Sequence, residues 1–213
     1  MKKFLILILF CLAGCDVSSH RDIHPNDAGQ AAIAAAIQRV VKTPVTTYVA
    51  LGDSLTVGKG LGGSSTAYVD AVQTPHLNLA RLGWTVQDAI KGELPEVPPK
   101  AGLVTVFIGL NDVMSCRNCS LYEGSKRADV FETQLRKLIQ GVQATGPRQV
   151  ILLNLYDPTD GRGWARWSWP NEFKIWTMFR NKIALVAADN KVDLVDLLPV
   201  FHGHPEYFND FKP

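Results

Sequence analysis

Val45-Thr46-Thr47-Tyr48-Val49-Ala50-Leu51-Gly52-Asp53-Ser54-Leu55 reads as a buried strand that stops at a glycine, an acid and a serine. β-Branched and aromatic residues suit an extended, packed segment. Gly52 lets the chain turn sharply with no Cβ in the way. Thr56-Val57-Gly58-Lys59-Gly60 follows. A strand end of this kind lifts one hydroxyl, that of Ser54, out of the sheet edge, which is how a fold presents a nucleophile.

Working outward, short apolar runs alternate with helical periodicity. Further strands are expected at 76–80, 103–108, 149–155 and 192–195. Residues 127–144 place Val130, Phe131, Leu135, Leu138, Ile139 and Val142 on one helical face. Residues 171–188 do the same with Phe173, Trp176, Phe179, Ile183 and Val186. An Ala-rich segment, 28–42, is expected to pack as a helix before the first strand. Repeated strand–helix units imply an α/β fold with a mostly parallel sheet of about five strands, covered on both faces. Sites in such sheets form at the carboxyl ends of the strands.

Two more strand ends carry chemistry. Asn78-Leu79-Ala80-Arg81-Leu82-Gly83-Trp84-Thr85 has a glycine whose amide can approach a ligand closely. Val104-Thr105-Val106-Phe107-Ile108-Gly109-Leu110-Asn111-Asp112 ends a buried strand in Gly-x-Asn-Asp. The amides of Ser54 and Gly83 and the side chain of Asn111 make three donors, the number that a tetrahedral oxyanion uses.

These segments, in this order, resemble three of the four blocks of the GDSL, or SGNH, hydrolases. The resemblance spans residue 45 to the end of the chain. It implies a flavodoxin-like three-layer α/β/α sandwich and hydrolysis of esters or thioesters. It implies Ser54 as nucleophile and first oxyanion donor, Gly83 as second and Asn111 as third. The family's fourth block, Asp-x-x-His-Pro followed by a C-terminal helix, supplies the general base and the acid that orients it. Two alignments compete for it. His204-Pro205 matches the His-Pro pair but has Phe201 where the acid belongs. Residues 209–213 match in position but put Asn209 and Lys212 at the acid and the base. An imidazole accepts a proton near neutrality and an exposed ammonium does not, which favours His204 over Lys212. His202 lacks the following proline. In either alignment the final helix is missing from the C-terminal side.

The first residues read as a targeting segment. Lys2 and Lys3 precede a short apolar stretch, 4–12, and Leu12-Ala13-Gly14-Cys15 resembles a bacterial lipobox. The expected organisation is therefore a signal peptide at 1–14, a lipid-anchored polar tether at 15–27 and a hydrolase domain at 28–213. Lipid (such as palmitate) on Cys15 would hold the domain at the cell envelope, on the periplasmic or extracellular face of a membrane. His20 and His24 are taken as solvated tether residues. Formal net charge is +2, and without residues 1–14 Lys+Arg falls from 22 to 20 against 20 acids. That balance, with no charge block, speaks against nucleic-acid binding. A monomer is expected.

Cys116 and Cys119 remain after Cys11 and Cys15 are set aside. Outside the cytoplasm a local disulfide is the expected state. No second ligand pair has zinc spacing, and Ser120 after the pair excludes c-type haem attachment. No metal or organic cofactor is implied. The 157–170 stretch holds Trp164, Trp167 and Trp169 with Arg162 and Arg166. It reads either as a substrate wall or as a loop pinned by aromatic packing. The overall expectation is a membrane-anchored serine esterase acting on acyl or acetyl esters, such as lysophospholipids or acetylated envelope sugars. The alternative is an impaired relative that only binds them.

Overall fold

The computed structural model describes residues 23–42, 45–61, 67–72, 75–158 and 171–209. The tryptophan-rich stretch, Lys212, Cys15 and the signal segment lie outside the described residues. Five strands form one all-parallel sheet: β1 (Tyr48–Gly52), β2 (His76–Asn78), β3 (Leu103–Phe107), β4 (Val150–Asn154) and β5 (Asp193–Asp196), in the order β2-β1-β3-β4-β5. The central strands β1, β3 and β4 are buried along their whole length. Their near-continuous apolar sequences suit strands covered on both faces. The edge strands β2 and β5 are partly exposed, with Asp193 and Asp196 closing β5.

Helices complete the layers. They are α1 (Asp27–Gln38), α2 (Ser54–Val57), α3 (Tyr68–Val72), α4 (Val86–Gly92), α5 (Leu110–Met114), α6 (Leu121–Ala144), α7 (Glu172–Asn190) and α8 (Leu198–Phe201). One group packs α6 against α4 and α7; the other packs α1 against α3 and α8. The α/β fold expected from strand–helix alternation is therefore the fold observed.

Two helical faces differ from their expected composition. Val130 is 57% exposed and Phe173 is 41% exposed, whereas their face-mates Phe131, Leu135, Ile139, Trp176, Phe179 and Ile183 are buried. A helix buries a stripe, and both residues sit at its margin. Helix α6 also starts six residues before the periodic region, because Ser120 and Glu123 form a capping box. The Glu123 amide donates to Ser120 Oγ and the Ser120 amide to Glu123 Oε2. Cys116 and Cys119 are joined as a disulfide between α5 and α6.

The largest change to the expected organisation is at the front of the domain. Residues 23–27, assigned to the tether, belong to the folded body. Asn26 caps α1, its Oδ1 accepting from the amides of Ala28 and Gly29. The Asn26 amide donates to the Tyr207 carbonyl at 2.8 Å, and its Nδ2 donates to the Glu206 carbonyl at 2.7 Å. Pro25 forms an antiparallel bridge with Phe208. Tyr156 Oη donates to the Ile23 carbonyl at 2.7 Å. Behind this clamp, Ile33 and Ile37 are fully buried, each worth about 1.5–3 kcal/mol. Gln30 is buried too, donating to the Leu55 carbonyl and accepting from the Tyr68 amide. Helix α1 is thus tied to α2 and α3, the elements that follow the Ser54 turn.

Candidate active site

Ser54 is the first residue of α2, at the carboxyl end of β1. The turn is set by close approach. A Cβ on Gly52 would stand 2.4 Å from the Phe107 carbonyl oxygen of the neighbouring strand, so only glycine fits. Asp53 caps α2, its Oδ1 accepting from the Leu55 amide at 3.0 Å. Ser54 is 7% exposed.

Asn111, at the start of α5, binds the other two strand ends together. Its Nδ2 donates to the Trp84 carbonyl at 2.9 Å and to Asp53 Oδ2 at 3.3 Å. Asp112 beside it accepts from the Val86 amide through Oδ2. Gly83 lies in the turn closed by the Trp84 amide on the Arg81 carbonyl. Its φ of +75° is a left-handed conformation, reached without strain by a glycine. A Cβ there would meet nothing within 4 Å, so the backbone and not space requires glycine. The three predicted segments therefore meet in one place. Asn111 differs in one respect from the reading that aimed it at substrate: its amide nitrogen is already shared between two protein acceptors.

The histidine against Ser54 is not the one that the sequence reading chose. His24 Nε2 lies 2.8 Å from Ser54 Oγ, and His24 is itself 7% exposed. His204 is turned elsewhere. Its Nδ1 lies 2.7 Å from Glu206 Oε1, and its ring stacks on Tyr207 at 4.6 Å. With a side chain 44% exposed, it is a surface residue of the loop after α8. His202 is exposed as well, and Asn209 donates to the Gly60 carbonyl. The assignments of His204 as base and of His24 as solvated tether are both corrected. A signal for this was present: His24-Pro25 is the same dipeptide as His204-Pro205, and it leads into the long helix α1. Asp22 stands two positions upstream, outside the described residues.

Comparison with known proteins agrees with the geometry. The profile of the GDSL-like lipase/acylhydrolase family matches residues 50–212. The chain belongs to that family. The matched region begins after His24 and runs on through the loop that holds His204. An acetylxylan esterase from Geobacillus stearothermophilus is 19% identical, with 73% of this chain and 77% of that one covered and a TM-score of 0.54. A phospholipase A1 from Streptomyces albidoflavus is 22% identical, over 76% and 83% of the two chains, with a TM-score of 0.55. A GDSL-like lipase from Parabacteroides merdae is 16% identical, over 75% and 81%, with a TM-score of 0.54. At such identities the likeness is one of fold. No curated protein matches the sequence.

Three buried carboxyls surround the turn. Burial raises Asp53 to about 7, Glu93 to about 8 and Asp112 to about 6. Asp112 raises Asp53 and Asp53 raises Glu93, in each case by less than burial does. Glu93 Oε2 accepts from the Gly52 amide at 2.8 Å. Each folded value lies above the unfolded one, so the folded state holds these protons more tightly. Their contribution is complete below about pH 4 and is lost as pH rises through roughly 6 to 8. The melting temperature is therefore expected to fall by about 5 °C or more between pH 5 and pH 9, and Glu93→Gln should flatten the slope. A thermal melt that stays level across that range in the unaltered protein would show the three groups ionised in the fold.

Proposed function

We propose that this protein is a serine esterase of the cell envelope, held to a membrane by lipid on Cys15 and acting on acyl or acetyl esters. The single observation that carries the catalytic part is the 2.8 Å contact between His24 Nε2 and Ser54 Oγ, within hydrogen-bond reach for proton transfer. In this mechanism His24 takes the Ser54 proton as Oγ attacks the ester carbonyl. The oxyanion rests on the amides of Ser54 and Gly83, with Asn111 exchanging its longer bond to Asp53 for the developing charge. His24 then protonates the departing alcohol. Water attacks the acyl-enzyme, gives its proton to His24, and the acid leaves as Ser54 regains its hydrogen. Family membership supports the reaction class. The lipobox-like Leu12-Ala13-Gly14-Cys15 supports the anchor.

A binding protein without activity was suggested by the want of a base, and His24 removes that motive. The test is turnover of a soluble short-chain nitrophenyl ester together with labelling by a fluorophosphonate. Labelling is expected to add mass to the peptide containing Ser54 and to stop turnover in proportion. Turnover that persists with Ser54 fully labelled, or no turnover in the unlabelled protein, would defeat the proposal.

A further inference from the structure

We infer that the catalytic mouth works against the lipid surface that carries the anchor, on ester groups of amphiphiles embedded there. This rests on the esterase and anchor readings above and adds a substrate class to them. The argument starts from where the tether leaves the domain. Ile23 is pinned by Tyr156, and the next residue is the base on Ser54. The eight residue steps from Cys15 to Ile23 reach at most about 29 Å when fully extended. The anchor thus joins the domain beside its active site.

The mouth has the surface for such a neighbour. Val57, three residues after Ser54, is 39% exposed, and Leu82, adjacent to Gly83, is 60% exposed. Both flank residues of the proposed oxyanion site. Lys59 and Arg81 are exposed beside them, a mix of apolar and cationic side chains that suits a headgroup region. The occupant assigned to this face is the bilayer, since the tether length limits how far the face lies from it. An amphiphile's ester sits at the boundary of headgroup and acyl chain, the depth that protruding leucine and valine side chains reach.

The experiment uses the lipidated full chain on phosphatidylcholine vesicles containing a long-chain umbelliferyl ester, with soluble umbelliferyl acetate as control. One variant inserts twenty Gly-Ser residues after Asp16; a second is Val57→Ser with Leu82→Ser. Lengthening the tether from 8 to 28 steps should lower the vesicle rate about sixfold, from the three-halves power law of effective concentration. The double substitution should lower it about fivefold. Both should leave acetate turnover within about twofold. Vesicle rates unchanged in both variants, with acetate turnover intact, would overturn this inference alone. Absence of acetate turnover in the unaltered protein would instead sink the esterase reading, and unmodified Cys15 in the membrane-free fraction would sink the anchor.

Discussion

Replacing His24 with alanine is expected to lower kcat for a soluble short-chain ester by about 10³–10⁴. The same change at His204 should leave kcat within about twofold. The contrast follows from placement. His24 Nε2 faces the Ser54 hydroxyl at 2.8 Å inside the fold, while His204 is paired with Glu206 at the surface. Without the imidazole, Ser54 must attack with its proton still attached, and the oxyanion donors are left to stabilise a transition state seldom reached. Because base and nucleophile act as one unit, Ser54→Ala combined with His24→Ala should be little slower than either alone. KM should change far less than kcat, since His24 contacts the nucleophile and not the bulk of a substrate. Steady-state kinetics on the four variants, each with a thermal melt to confirm folding, decide the matter. Loss of turnover in His204→Ala with His24→Ala unaffected would return the base to the loop after α8.

The sheet was legible because its strands announce themselves. The runs at 45–51, 103–108 and 149–155 are mostly apolar, as fits strands buried on both faces, and each was displaced by no more than three residues at either end. The Ser54, Gly83 and Asn111 segments were legible because a catalytic turn restricts residue type locally. Gly52 has Phe107 against it, and Gly83 has a left-handed backbone, so each glycine leaves a mark in the sequence. The histidine was misread for a different reason. A base needs a position in space, not in chain order, and the reading sought it after β5. His24 sits in a polar stretch of unremarkable composition, and its neighbours Ile23, Pro25 and Asn26 are held by partners distant in sequence: Tyr156, Glu206, Tyr207 and Phe208. Nothing local distinguishes it from a tether residue except the proline after it and the helix that follows. The exposed Val130 and Phe173 were misread on a smaller scale, since periodicity assigns a face but not the width of its neighbour.

A chain that begins at Thr43 and carries residues 16–42 after Pro213 is expected to fold and to keep kcat within about fivefold of the natural order. A chain simply lacking residues 16–42 should lose activity altogether and precipitate. The deletion removes the base, and it uncovers the surface that Ile33, Ile37, Ala34 and Ala36 bury. Two isoleucines alone are worth about 3–6 kcal/mol, a large part of a typical domain's 5–15 kcal/mol. Relocation removes none of this, because contacts hold the segment and not its upstream peptide bond. Pro25 and Phe208 are already antiparallel partners, and Asn26 is bonded to Glu206 and Tyr207. Joining the chain beyond Phe208 to the chain before Pro25 therefore makes a hairpin between neighbours, and the entropy of closing such a loop grows only slowly with its length. The join also restores the block order that the family resemblance implies: last strand, histidine-proline, helix. A rearranged protein with native circular dichroism and a cooperative melt but no ester turnover would show that His24 needs its present chain connection to reach Ser54. If instead it turns over ester at the expected rate, the segment that bears His24 is interchangeable between the two ends of the domain.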